Sequence, residues 1–162
     1  MSHFGLFFLL IDIPGAAHYN FLKQSSIFCR PHLSMNPEGA DMKTIAIIAH
    51  DGKKAEMVAF IKDHKDILTR YKIIATGSTG GYIEKAGLDV EKKKSGPLGG
   101  DAQIASDVVD GKIQAVIFLR DPLGKHPHDP DIFMLMRICD VNNVPLATNT
   151  ATASLIIKSL EE

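Results

Sequence analysis

Two short stretches hold most of the side chains able to do chemistry. Ser95–Asp101, "SGPLGGD", sets a hydroxyl, three glycines and a carboxylate directly before the helix-forming run "AQIASDVVD". Asp101 there reads in two ways. It is a helix cap accepting hydrogen bonds from the free N–H groups of the first turn, or the working carboxylate beside an anion cradle built from backbone donors. The second stretch, "DPLGKHPHDPD", crowds His126, His128, Asp129 and Asp131 together. Histidine and carboxylate are competent metal ligands, but two prolines stiffen its "HPHDPD" part and no third ligand group stands at a recognised spacing. The other chemistry open to it is acid–base work, a histidine donating to a developing oxyanion while a carboxylate moves a proton.

Three further groups extend this set. "TGSTGG" offers the hydroxyls of Thr76, Ser78 and Thr79 ahead of a helix, which suits a phosphate and equally suits a plain Gly/Ser turn with a threonine cap. Lys53 and Lys54 start a helix, where a cation opposes the helix dipole unless an anion is bound nearby. His50, Asp51 and Asp121 supply more titratable groups, whereas His64 lies inside a helical run and reads as structural or solvated. No Walker loop and no dinucleotide fingerprint after the first strand occurs, which disfavours ATP, GTP and dinucleotides. Carboxylates repel a phosphate, so they should not line its pocket merely to bind it. Their excess argues for proton abstraction from a phosphorylated carbonyl compound, with nearby donors stabilising the enediolate.

The elements that must position these groups begin at Lys43. Apolar runs "KTIAIIA", "YKIIAT", "QAVIFL" and "VPLAT", with a weaker "LDVEKKK", alternate with helical runs "KAEMVAFIKDHKDIL", "YIEKA", "AQIASDVVD", "IFMLMRICDVNN" and "ASLIIKSLE". Continuous apolar strands joined through helices predict right-handed crossovers and a parallel sheet covered on both faces, a three-layer α/β domain. Gly87 and Gly111 read as helix stops. Every strand-to-helix loop then leaves the sheet at its carboxyl edge. "HDGKK", "TGSTGG", "SGPLGGD", "DPLGKHPHDPD" and "TNTAT" all fall there, while "DILTR", "GLDV" and "DGKI" are ordinary turns on the other edge.

The chain's 162 residues suit one domain with residues to spare. A net charge of −1 gives no reason to expect nucleic acid or an acidic membrane as partner. Two cysteines, Cys29 and Cys139, lack metal or redox spacing and point to a reducing, cytoplasmic setting. The run "FGLFFLLIDI" is too short to span a bilayer and lacks a basic start or a good cleavage site. Residues 1–42 are therefore read as a non-essential extension and 43–162 as the catalytic domain, with Met35 and Met42 as candidate starts.

The motifs "IAIIAHDGKK", "ATGSTG", "SGPLGGDAQI", "VIFLRDPLGKHPHDPD" and "VPLATNTATA", in this order over about Lys43–Leu160, resemble the methylglyoxal synthase family. The resemblance implies a five-stranded parallel sheet of order 3-2-1-4-5, a homohexamer and a step of a glycolytic bypass. The implied reaction is that of a carbon–oxygen lyase turning the phosphorylated ketose dihydroxyacetone phosphate into methylglyoxal and inorganic phosphate. No metal or organic cofactor is implied, and phosphate is both product and a candidate inhibitor. Carried over by motif, Asp101 is the base for the C3 proton. His128 polarises the substrate oxygens and passes a proton, with Asp131 and Asp51 as supporting acids. His50 and Asp121 are nearby partners, and Lys54, Thr76, Ser78, Thr79, Ser95 and Gly96 hold the phosphate. A tail arginine, which in many members reaches a neighbouring subunit's phosphate, has no counterpart after Arg137. The rival reading is a regulatory effector-binding module of the same fold, as found in carbamoyl phosphate synthetase.

Overall fold

The computed structural model describes residues 42–124 and 129–161. Five strands, β1 (Thr44–Ala49), β2 (Lys72–Ala75), β3 (Glu91–Lys92), β4 (Ile113–Leu119) and β5 (Leu146–Ala147), form one sheet in the order 3-2-1-4-5. All four pairings are parallel. Six helices connect or close them: α1 (Lys54–Asp63), α2 (Lys65–Leu68), α3 (Gly77–Lys85), α4 (Gly100–Val109), α5 (Asp129–Val141) and α6 (Thr150–Ser159). The predicted architecture and strand order are those observed.

The period-2 alternation of the central strands divides the core in two. Ile45 and Ile47 of β1 join Met57, Phe60 and Ile61 of α1, Ile83 of α3 and Ile157 of α6 on one face. Ala46 and Ile48 join Ile104 and Val108 of α4 and Ile132 and Leu135 of α5 on the other. β1 and β4, both almost wholly buried, read as continuous apolar runs because both faces are covered.

Several boundaries depart from the sequence expectation. The first helical run breaks at His64, whose φ of −116° ends α1 before a separate short α2. Of the two readings for His64, structural or solvated, the structure favours the first: Nε2 lies 3.1 Å from Ser154 Oγ and the ring packs on Phe60. The glycine-rich "GSTGG" is the first part of α3 rather than a loop. Asp129, Pro130 and Asp131 form the first turn of α5, where proline's missing N–H costs nothing and acidic groups face the positive end of the dipole. The two edge strands shrink to two residues each. Gly87 and Gly111 do end their helices, at φ values of +84° and +70°. Cys139 is a buried core residue whose thiol is pushed up to about 11 by desolvation. Among the described residues no helix is long and apolar enough to cross a membrane.

Candidate active site

At the carboxyl ends of β1, β2 and β4 lies a cavity of about 270 Å³ lined by Ile48, Ala49, His50, Asp51, Thr76, Ser78, Ser95, Gly96, Pro97, Asp101 and Phe118. A larger groove, about 450 Å³, runs along the opposite edge between Leu68, Tyr71, Leu88 and Glu91, far from the residues selected by chemistry. Size does not choose between them; the convergence of polar groups does.

His50 continues the even-numbered face of β1 beyond the strand end. It is 7% exposed, and the backbone N–H of Asp121 donates to its Nδ1 at 2.9 Å. With Nδ1 accepting, the proton of the neutral ring sits on Nε2. The edge of Phe118, 5.1 Å away between centroids, fixes the ring plane. Asp121 thus touches the site through its main chain, while its carboxylate accepts from Leu123 N and packs against Gly52.

Lys54 is buried, unusual for a lysine. Its ammonium is 2.6 Å from Asp51 Oδ1 and 5.3 Å from the centre of the Tyr82 ring. Asp51 is almost fully exposed at the rim and pairs with this lysine.

Thr76 and Thr79 are both buried, and their hydroxyls are committed to the scaffold. Thr76 Oγ1 donates to Thr79 Oγ1 at 3.0 Å. Thr79 Oγ1 accepts from Ala49 N at 3.3 Å and donates to Ala49 O at 3.4 Å. β2 pairs with β1 only as far as Ala75 opposite Ile47, so Thr79 takes over the ladder where the neighbouring strand has ended. Thr76 occupies the N-cap position of α3 in extended conformation without a side-chain cap bond. Ser78, at the second position of α3, reaches the cavity itself.

"SGPLGGD" folds as a single turn of 3-10 helix, Gly96–Leu98, followed by Gly99 in the left-handed region at φ +87°, and α4 opens at Gly100. Only glycine adopts that φ without strain. Asp101 is therefore not the N-cap; Gly99 holds that position, and Asp101 is the second helical residue, 1% exposed. The N-termini of α3, of α4 and of the 3-10 turn thus converge on one cavity, a concentration of N–H donors suited to an anion.

Asp131 is half-buried in the first turn of α5. His126 and His128 lie outside the described residues. Among the described residues no group of three or more His, Cys, Asp or Glu is placed to hold a metal. Phe118 and Pro97 also line the cavity and escaped the sequence reading. Phe118 could have been found from parity, because it stands near the carboxyl end of β4 on the face shared with Ile48.

Residues 56–148 match the family model for the MGS-like domain. Over 117 residues, 72% of the chain, it is 57% identical to a methylglyoxal synthase of Thermus thermophilus, covering 93% of that protein. A methylglyoxal synthase of Burkholderia multivorans is 54% identical over the same length, with 90% of it covered. Among solved structures, the methylglyoxal synthase of Elizabethkingia anophelis superposes with a TM-score of 0.68 at 44% identity, over 72% of this chain and 78% of that one. On these matches, and with the sheet order and motif placement described above, the chain belongs to the methylglyoxal synthase family.

Proposed function

We propose that this protein is a methylglyoxal synthase, a lyase that converts dihydroxyacetone phosphate to methylglyoxal and inorganic phosphate. The observation that carries the reading is the pairing of a buried carboxylate, Asp101, with a wall of phosphate-type donors in the same small cavity. Relatives bearing that name, at 53–57% identity, support it.

In this mechanism Asp101 takes the C3 proton of the hydroxymethyl carbon, and the electron pair moves to the carbonyl oxygen. His50 Nε2–H donates to the resulting enediolate without needing to be cationic, because Nδ1 is already occupied by the Asp121 N–H. His128 shares that role by family resemblance and passes a proton between oxygens, with Asp131 and Asp51 as supporting acids. The enediolate then collapses, the C–O bond to phosphate breaks, and inorganic phosphate leaves with that bond's electrons. The enol product takes up a proton to give methylglyoxal. Expulsion requires the breaking bond to stand out of the enediolate plane, so the phosphate grip decides the outcome. Ser78, Ser95, Gly96 and the amide groups at the start of α3 supply that grip, with Lys54 as counter-charge. Thr76 and Thr79 hold the cradle in place through their shared hydroxyl bond.

The reading extends to a cytoplasmic homohexamer whose residues 1–42 are dispensable and whose turnover needs no metal or organic cofactor. Incubating the purified protein with dihydroxyacetone phosphate should release methylglyoxal and phosphate in equal amounts, before and after EDTA. Phosphate binding without turnover would instead favour the effector-binding module, and loss of turnover in EDTA would overturn the cofactor-free mechanism.

A further inference from the structure

The two halves of the cavity belong to opposite layers. The start of α3, with its phosphate-type donors, packs on one face of the sheet, and α4, carrying Asp101, packs on the other. The main chain of one residue, Lys94, is bonded to both. The carbonyl of Lys94 accepts from Gly77 N, the first residue of α3, at 3.1 Å. The N–H of Lys94 donates to Gln103 Oε1, on the first turns of α4, at 2.8 Å. Gly100 completes the contact from below: a Cβ there would overlap the Lys94 carbonyl oxygen. Just downstream, Ser95 O accepts from Gly100 N at 3.0 Å. The neighbouring Lys93 continues the pattern, its N–H on Ala75 O and its ammonium 2.9 Å from Asp107 of α4.

We propose that Gln103 and Gly100 are positioning residues that clamp the Lys94 main chain, one at its N–H and the other at its carbonyl, and thereby set the distance between the phosphate cradle and Asp101. Gln103 is exposed and touches no reacting atom; its amide oxygen acts through Lys94 and Ser95. Gly100 acts by being small, since any side chain would drive Lys94 away from α4 and move Ser95 and Gly96 with it. The inference rests on the synthase reading above, because only a reaction that needs carbon and phosphate held at once is sensitive to this spacing. A misplacement of about 1 Å between reacting groups costs on the order of a hundredfold in rate. Loss of one of several clamp contacts should cost less.

The test compares Gln103→Met, which keeps length and loses the acceptor, with Gln103→Glu, which keeps an acceptor oxygen. Steady-state kinetics with dihydroxyacetone phosphate and inhibition by inorganic phosphate are measured on the full chain, together with melting temperature. The clamp predicts that Gln103→Met lowers kcat about tenfold, leaves KM and phosphate inhibition within about twofold, and that Gln103→Glu restores most of the rate. Wild-type turnover with an unchanged kcat in Gln103→Met overturns the clamp and leaves the synthase reading standing. A parallel loss of kcat and phosphate affinity, not relieved by glutamate, also overturns it, because that marks a general structural role. Absence of wild-type turnover overturns the synthase reading and this inference with it.

Discussion

A carboxylate at the second position of a helix, shielded almost wholly from water, feels two opposing influences. The helix dipole favours its charge, and desolvation opposes it. Asp101 is poorly solvated, and a poorly solvated carboxylate is an effective base when it is ionised. Asp101→Asn keeps the shape and removes the basicity, so kcat should drop by about 10²–10⁴-fold with phosphate inhibition retained. A variant with near-wild-type rate would show that another group takes the proton. Thr79 makes a contrasting case. Its hydroxyl, which the family resemblance assigns to the phosphate, is bonded here to Thr76 and to both polar groups of Ala49. Thr79→Val leaves the Ala49 groups without those bonds and should cost about 1–3 kcal/mol of stability, read from urea unfolding. If valine instead left stability intact and only weakened phosphate inhibition, the hydroxyl would belong to the ligand after all.

Among the elements, β3 is the most precarious: two exposed residues at the sheet edge. Its anchoring is ionic. Glu91 meets Lys72 of β2 at 2.7 Å and Lys93 at 2.7 Å, and these hydrogen bonds hold its carboxyl at about 2, below its ordinary 4.5. A lowered carboxyl stabilises the fold fully above pH 4.5 and loses that contribution as pH falls toward 2. The unfolding midpoints of wild type and Glu91→Gln should therefore differ near neutrality and converge in acid. Glu91 is 43% exposed, which keeps the difference below about 1 kcal/mol. This edge also shows what can be read from a chain of letters. The apolar runs of β1 and β4 announce buried parallel strands because both faces are covered. β3 lacks an apolar signal because partner and charge, rather than burial, make it a strand. "GSTGG" reads as a loop on helix propensity, and packing overrides this: a Cβ on Gly80 would meet the Lys92 side chain, so glycine lets α3 lie close to β3. For the site, residue types on the loops were enough to select His50, Asp101 and Ser95. The spent hydroxyls of the threonines, the burial of Lys54 and the reach of Gln103 depend on contacts between distant segments, which no local pattern encodes.

At the scale of the molecule, labour is divided between the two edges of the sheet. The carboxyl edge carries the cavity lined by His50, Ser78, Ser95 and Asp101, and the amino edge carries short turns and a second groove. Among the described residues the core clusters and the cavity run from Ile45 onward, and a protein lacking residues 1–41 should fold and turn over dihydroxyacetone phosphate at nearly the full rate. A collapse of activity would assign that segment a part in the working enzyme. The Thr79 bridge has a last consequence, for motion. The Ala49 amide is tied to a hydroxyl on α3 instead of a neighbouring strand, so its proton can reach solvent only when the start of α3 lifts from the end of β1. Its deuterium exchange is then a built-in clock for opening of the cavity at the start of α3. Inorganic phosphate bound across that seam should slow it, while the amides in the middle of β1 keep their own pace.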